Sequence, residues 1–400
     1  MKTVINQTMP SPPHDFFQNP YPFYERVRSI HPICWGNLLK QSGWYVTGYE
    51  EAKTILKDTR FKNRIPLPLA TKKYEQLKNI QSEMLLFKNQ PDHKQLRFLV
   101  SSVFTPRMVD RLCPYIEKTT NDLLESFRNK KAIDIVSDFA FPLASQVIAK
   151  ILGVPQEDHH RFREWAVSLI QTIDFTRSRK VLENGNEVML ILRDYFIELI
   201  KKRKRNPEAD LISLLIKEEQ QGERLTDEEL LATCILLVIA GHETTVNLIS
   251  NSMLVLLKHP QQMMELKEKP LLMERAVEEF LRYESPTQMI ARVASEDIEL
   301  HEKMIKKGDQ VYLLLGAANR DPNQFNEPHL LDIKRDPNHH LAFGYGSHFC
   351  LGAPLARLEA QIALQSLLGW REDIQLAAPD LQWRNLIGFR SLNELKITFE

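Results

Sequence analysis

The chain has 400 residues, and because 43% of them are hydrophobic it can bury a large apolar core. Its 52 lysines and arginines balance its 52 aspartates and glutamates, so no net field draws it to nucleic acid or to an anionic membrane. Its 14 glycines and 22 prolines are too few for a collagen-like or low-complexity chain.

Apolar positions at helical spacing dominate the chain, and strand-like runs are short. The most apolar stretch, residues 230–241, is shorter than the about 20 residues that a membrane span needs, and it predicts a fully buried helix. These patterns predict a single domain over residues 1–400 that is mainly α with a minor β portion. In chain order we expect a strand at 43–47, helices at 91–128, 155–205, 226–258 and 270–283, a strand at 310–315, a long functional loop at 319–345 and a strand at 395–399.

The cysteine pattern limits which metal and redox sites the chain can form. Cys34, Cys113, Cys234 and Cys350 form no C-x-x-C pair, which excludes zinc ribbons and thioredoxin-like motifs. The first residues are polar and interspersed with prolines, unlike a signal peptide. We therefore expect a cytoplasmic protein with free thiols and no membrane anchor.

Residues 343–359, FGYGSHFCLGAPLARLE, place one cysteine in an unusual setting. Gly344 and Gly346 permit a tight, partly left-handed backbone, and a helical pattern begins just after Cys350. The dipole and free N–H groups of a helix start lower the pKa of a thiol. The position suits a metal ligand or a nucleophile, and a buried cysteine that packs as a small hydrophobe is the alternative.

A polar cluster interrupts the end of the apolar stretch at residues 240–245, AGHETT. Polar groups inside a buried helix are costly unless they have partners or a function. Gly241 also weakens a helix by about 1 kcal/mol relative to alanine. The cluster predicts a local kink that receives a ligand, and a kink whose polar groups are simply satisfied is the alternative.

The cysteine segment resembles a known family. Phe343, Gly346, His348, Cys350 and Gly352 match the pattern F-x-x-G-x-[HR]-x-C-x-G, the haem-binding motif of the cytochromes P450. The resemblance implies the P450 fold, with non-covalent haem b between a distal helix and the cysteine loop. It also implies that Cys350 supplies the thiolate that binds the iron.

Residues 240–245 resemble the family's [AG]-G-x-[DE]-T-T motif in the helix over the distal haem face. By that resemblance, Glu243 and Thr244 are an acid–alcohol pair that supplies protons during oxygen activation. Ala240 and Gly241 would leave room for oxygen and substrate.

Two further motifs resemble those of the family. Glu279 and Arg282 match its E-x-x-R motif, and Arg335 is the expected third member of a network that fixes the long loop. The family also places basic side chains against the two haem propionates. The residues that match these contacts are His93, Arg97, Arg292 and His348.

A narrower resemblance concerns the substrate. Residues 43–52, 87–97, 137–149, 168–180, 234–252 and 281–300 are similar to the biotin-pathway P450s of bacilli. Those enzymes cleave long fatty acyl chains on acyl carrier protein to pimeloyl units. The resemblance implies a monooxygenase of such a small hydrophobic substrate. The residues expected to line its pocket are Leu86, Ile170, Ile173, Phe175, Ile239, Met289 and Ile290.

Two alternatives remain open. The chain could hydroxylate terpenoid, steroid, statin or polyketide-like molecules, because related enzymes use the same scaffold for many substrates. It could also be a non-catalytic haem-thiolate sensor, although a sensor needs no Glu243–Thr244 pair.

The resemblance also implies partners. Electrons would come from a separate ferredoxin or flavodoxin with its reductase. Arg177, Arg179 and Lys180 form a basic cluster that suits the acidic surface of acyl carrier protein.

Overall fold

The computed structural model describes residues 8–63, 72–218 and 223–399, and helices dominate them. The helices are α1 (Tyr21–Ile30), α2 (Tyr49–Lys57), α3 (Glu75–Glu83), α4 (Asp92–Val103), α5 (Pro106–Asp110), α6 (Cys113–Ser126), α7 (Phe141–Leu152), α8 (His159–Ile173), α9 (Arg179–Arg205), α10 (Leu211–Lys217), α11 (Asp227–Lys258), α12 (Pro260–Glu268), α13 (Met273–Tyr283), α14 (Leu315–Ala318) and α15 (Ala353–Trp370). The strands are β1 (Ile33–Leu38), β2 (Gln41–Val46), β3 (Phe61–Lys62), β4 (Ala132–Asp134), β5 (Met289–Ala294), β6 (Ile298–Leu300), β7 (Lys303–Ile305), β8 (Gln310–Leu314), β9 (Ile374–Leu376) and β10 (Lys396–Phe399).

The central helix is α11, which runs for 32 residues without interruption. Thr226 begins it with a capping box, in which its side chain accepts from Glu229 N and the Glu229 carboxylate accepts from Thr226 N. Three acidic residues in the first turn complement the helix dipole. Beyond that turn most of its side chains are buried, because α7, α8, α9 and α15 pack around it.

The β portion lies to one side of this bundle. The largest sheet has the order β1-β2-β8-β5-β3, in which only β2 and β8 are parallel. Strand β5 carries Arg292 opposite Val311 of β8, so the sheet fixes the depth at which this arginine enters the protein. A second sheet, β4-β10-β9, joins the end of the chain to the segment before α7.

The predicted architecture is confirmed, but two long helices are divided. Residues 91–128 form α4, α5 and α6, because Pro106 and Pro114 cannot continue a preceding helix and instead begin new ones. Residues 155–205 form α8 and α9, which Asp174 and Ser178 separate. Asp174 is extended, and the Ser178 side chain caps α9 by accepting from Val181 N.

Two segments have the length and apolar character of a membrane span, Ile135–Leu152 and Asp227–Lys258. Within their most apolar windows, 67% and 72% of the residues are buried by the rest of the fold. Core helices have the same character, so these segments are weak indications of a membrane span.

Candidate active site

A cavity of about 410 Å³ lies between the middle of α11 and the loop before α15. Its walls come from α4, α8, α11, β5 and the residues around Cys350. The chain therefore brings five sequence-distant regions to one enclosed space, as a large buried ligand requires.

The side chain of Cys350 is exposed to this cavity. Its N–H donates to the carbonyl of Phe343 (2.9 Å), which closes the loop that carries the thiol. Gly352 is the N-cap of α15, and a Cβ there would lie 3.9 Å from Cys350 Sγ. The sulfur thus faces open space at a helix start.

The helix start was expected to lower the pKa of the Cys350 thiol, but the pKa is raised. Burial raises the pKa of Cys350, and the backbone N–H groups of Gly352 and Ala353 and the charge of Arg97 only partly oppose this rise. Desolvation by the surrounding protein atoms is the larger effect, although the side chain is exposed to the cavity. The chain alone therefore favours the neutral thiol, and a bound cation is needed to favour the thiolate.

The tight turn before Cys350 depends on Gly346. Its φ is +72°, and a Cβ would approach the Leu56 carbonyl oxygen of α2 to 2.8 Å. Any other residue would strain the backbone and separate the turn from α2. Gly346 is absent from the cavity wall, so its contribution is to the shape of the loop and not to a ligand contact.

Four basic side chains, His93, Arg97, Arg292 and His348, line one side of the cavity and are called the basic cluster. The rings of His93 and His348 are 3.8 Å apart between centroids, and Asn63 donates to the His348 ring (3.0 Å). Among the described residues, no carboxylate pairs with Arg97 or Arg292, and neither ring nitrogen of His93 has a hydrogen-bond partner. Such buried donors are costly unless a ligand accepts from them.

Burial is the main cause of the lowered pKa values in this cluster. Together with the neighbouring cations, it lowers the pKa of His93 to about 4 and that of His348 to about 3. It also lowers the pKa of Arg292 to about 10. The cluster therefore disfavours its own positive charges and fits an anionic group, which would relieve this repulsion.

On the opposite wall, α11 presents small residues and a hydroxyl. Ala240 and Thr244 line the cavity, and the Thr244 hydroxyl donates to the Ala240 carbonyl (2.6 Å). Gly241 also reaches the wall, but a Cβ there would meet Ile148 of α7 at 2.3 Å. Its small size therefore allows the close approach of α7, and α11 continues through it without a break.

Glu243 is turned away from the cavity. Its carboxylate accepts from Arg384 Nη1 (2.5 Å) and from the Ser391 hydroxyl (2.8 Å), and its side chain is 4% exposed. Of the expected acid–alcohol pair, only Thr244 lines the cavity. No local pattern in the sequence indicated Arg384 or Ser391, because both lie about 140 residues from Glu243 along the chain.

The Glu279 carboxylate ties the long loop to α13. Arg282 forms two hydrogen bonds of 2.7 Å with it, and Arg335 Nε approaches it to 3.1 Å. Arg282 also donates to the carbonyls of Asn319, Pro328 and Leu330. This buried network lies outside the cavity wall and holds the loop that leads to Cys350.

The rest of the cavity wall is apolar. All the expected substrate contacts lie on it: Leu86, Ile170, Ile173, Phe175, Ile239, Met289 and Ile290. Sequence reasoning missed other lining residues, because nothing in their local pattern distinguishes them from core or loop positions. These include Phe87, Leu237, Thr287 and Phe389.

The model of one family, cytochrome P450, matches residues 12–369. The chain is a cytochrome P450. The family binds haem b through a cysteine thiolate, and the cavity of this P450 fits that group. Cys350 Sγ faces the open space, and the basic cluster, in which both ring nitrogens of His93 lack a partner among the described residues, suits two carboxylates. The chain is accordingly a haem-thiolate monooxygenase.

Two relatives and one solved structure locate this P450 within the family. It is 56% identical over 398 residues to the biotin biosynthesis cytochrome P450 of Bacillus subtilis, covering 100% of both chains. It is 39% identical to the polyketide biosynthesis cytochrome P450 PksS of Bacillus subtilis, covering 96% of this chain and 98% of PksS. The crystal structure of P450BioI with hexadec-9Z-enoic acid ligated acyl carrier protein superimposes with a TM-score of 0.93 at 58% identity, covering 96% of this chain and 100% of that one.

Proposed function

We propose that this P450 oxidises long fatty acyl chains on acyl carrier protein and cleaves them by successive hydroxylation toward pimeloyl units for biotin synthesis. The observation that carries the proposal is the 56% identity, over the whole of both chains, to a biotin biosynthesis P450. The structure of P450BioI with an acyl carrier protein bearing a fatty acid supports the same substrate class. An apolar cavity wall suits an alkyl chain.

In this proposal, the chain works as one domain and each wall of the cavity has a separate task. Cys350 would bind the iron, and His93, Arg97, Arg292 and His348 would hold the two propionates. Phe343 and Gly352 would flank the sulfur. The haem, when bound, supplies oxygen activation. The protein excludes water, and the apolar wall presents one region of the acyl chain to the iron.

Thr244 and Glu243 would control protons. The Thr244 hydroxyl is at the cavity and can orient a water molecule there. Glu243 would supply protons from behind it, on the side of Arg384. Ala240 would leave space beside the hydroxyl.

The partners follow from the chemistry. A separate ferredoxin or flavodoxin with its reductase would supply electrons in the cytoplasm. Lys94, Arg107 and Arg111 are exposed on α4, α5 and the residue after α5, and they suit an acidic carrier. Arg179 and Lys180 are exposed and suit acyl carrier protein, whereas Arg177 is partly buried and donates to the carbonyl of Asp174.

The proposal is tested by turnover of the holoenzyme with a surrogate ferredoxin and reductase. Acyl carrier protein charged with a 16-carbon chain, the free fatty acid and a steroid are supplied separately. We expect cleavage to a pimeloyl product from the carrier-bound chain. Hydroxylation of the steroid with no oxidised product from either acyl substrate would overturn the proposed substrate class.

A further inference from the structure

Residues 383–392 form a hairpin that we call the C-terminal turn. Trp383 bridges to Leu392, and Arg384 N donates to the Ser391 carbonyl (2.8 Å). Through Gly388 and Phe389 the turn also lines the cavity. It is therefore a compact unit beside the active site.

One end of the C-terminal turn holds Glu243. Arg384 and Ser391 face each other across the hairpin, and both bind the same carboxylate oxygen of Glu243. Arg384 also approaches the Ser391 hydroxyl (3.4 Å). The Glu243 carboxylate is thus fixed by the turn and not by α11, the helix that carries it.

The other end of the C-terminal turn holds the segment between α8 and α9. Gly388 N donates to the buried carboxylate of Asp174 (2.8 Å). The Thr176 hydroxyl lies 2.6 Å from the same carboxylate and 3.1 Å from the Asn385 carbonyl. A Cβ on Gly388 would come within 2.9 Å of Asp174 Oδ2, so the Asp174 carboxylate lies directly against the Gly388 backbone.

Residues 170–178, the last turn of α8 and the segment after it, cover the cavity and are called the cover. Ile170, Ile173 and Phe175 line the wall from this side, whereas Asp174 and Thr176 do not. Asp174 and Thr176 instead attach the cover to the C-terminal turn.

The body of the C-terminal turn is held along its length. Gln288 N donates to the Gly388 carbonyl (2.8 Å), Arg390 N donates to the Pro286 carbonyl (2.8 Å), and Asn251 donates to the Arg390 carbonyl (2.8 Å). A short hairpin with bonds at both ends and in the middle responds as one unit. A displacement at one end therefore has a physical route to the other.

We propose that the C-terminal turn couples closure of the cover to the position of the Glu243 carboxylate. With the cover seated, Asp174 and Thr176 fix the turn, and Arg384 and Ser391 then hold the Glu243 carboxylate in the position from which it would supply protons. Arg384 and Ser391 are positioning residues, because they act through Glu243. The inference rests on the proposed function only where it assigns Glu243 to proton supply.

The coupling has an energetic basis. If the turn moved with an opening cover, Glu243 would keep a buried negative charge without its arginine, which is strongly unfavourable. The ion pair therefore stabilises the closed cover. By linkage, a closed cover stabilises the ion pair equally.

The first test measures amide hydrogen exchange in the holoenzyme without substrate. Arg384→Gln changes one end of the turn, and we expect the amides of residues 174–178 to exchange about threefold faster or more. Arg384→Lys keeps the charge and should restore much of the protection. Lys118→Gln, in an exposed pair with Asp122 on α6, is the control.

The decisive comparison is between the two ends of the turn. Faster exchange at both 383–392 and 174–178 supports the coupling. Faster exchange at 383–392 with wild-type exchange at 174–178 would overturn it. Neither result depends on the identity of the substrate, so failure of the proposed function is distinguishable from failure of the coupling.

The second test changes the cover and measures the share of electrons that is released as peroxide. Thr176→Val and Asp174→Asn should each raise the share of electrons released as peroxide during turnover, although neither side chain touches Glu243 or the cavity. In an Arg384→Gln background the same changes should add little, because the coupling is already broken. Fully additive effects, or wild-type peroxide from both single variants, would overturn the proposal.

Discussion

At the scale of the residue, the buried His242 of α11 makes the stability of the protein depend on pH. Its ring lies near Phe141 and Phe162, and Nε2 is buried without a hydrogen-bond partner among the described residues. Burial, partly opposed by the bond to the Val238 carbonyl, lowers its pKa from 6.5 to about 4. Between these two values the unfolded chain binds more protons than the folded chain, so stability falls as pH falls.

The variant His242→Phe removes this titration and keeps an aromatic ring in aromatic surroundings. We expect the free energy of unfolding of the wild type to lose up to about 1.4 kcal/mol more per pH unit than the variant, between pH 6.5 and 4. Urea unfolding at several pH values measures this difference. Parallel pH profiles for the two proteins would contradict the prediction.

Arg292 is buried without a carboxylate partner among the described residues, and this burial destabilises the haem-free protein. Arg292→Leu should stabilise the haem-free chain or leave its stability unchanged, because a buried unpaired charge is removed. The same variant should lose haem to apomyoglobin about tenfold faster, which corresponds to about 1.4 kcal/mol of binding. Lys118→Gln serves as the control. Equal haem loss in wild type and variant would argue against a propionate contact.

At the scale of the element, Gly153 ends α7 in a conformation that favours glycine. Its φ is +65°, and a Cβ would meet the Asp210 carboxylate at 2.2 Å, where Asp210 pairs with the buried Arg203. Gly153→Ala should therefore lower the free energy of unfolding by about 1 to 3 kcal/mol. Gly369→Ala in α15 is the matched control, since nothing lies within 4 Å of its added Cβ. That control should be neutral or slightly stabilising, and equal losses would contradict the argument.

Elements whose pattern is local could be predicted from the sequence. The helix expected at 226–258 corresponds to α11, because its apolar run and its cap are consecutive in the chain. The helices expected at 91–128 and 155–205 were divided in the structure. Apolar spacing continues across Pro106 and Asp174, so periodicity alone does not separate the helices there.

At the scale of the whole molecule, sequence motifs predicted which residues would meet but not all of their partners. The basic cluster and Cys350 lie on one cavity, in agreement with the family's pattern. The partners of Glu243 required the tertiary structure, because Arg384 and Ser391 come from the other end of the chain. The C-terminal turn has no motif of its own, and its contacts depend only on the fold.

Arg390 joins three distant regions of the molecule. Its Nε donates to Glu284 at the end of α13 (2.6 Å), its Nη atoms donate to the carbonyls of Phe17 and Gln18, and its guanidinium lies 3.4 Å from the centroid of the Trp383 ring. Both charged side chains are nearly buried. Removing only the cation leaves the Glu284 carboxylate buried with the Tyr21 hydroxyl at 2.8 Å and a more distant cation, Arg320, at 3.8 Å.

Arg390→Met should therefore lower the free energy of unfolding by about 3 kcal/mol or more, measured by urea unfolding. Adding Glu284→Gln removes the uncompensated charge, so the double variant should be more stable than the sum of the single losses predicts. Proteolysis near residues 17–18 should also accelerate in Arg390→Met, because two of its bonds hold that segment against the core. Strict additivity of the two substitutions would show that Arg390 and Glu284 are not coupled, and the loss in Arg390→Met would then come from its bonds to the carbonyls of Phe17 and Gln18 and its contact with Trp383.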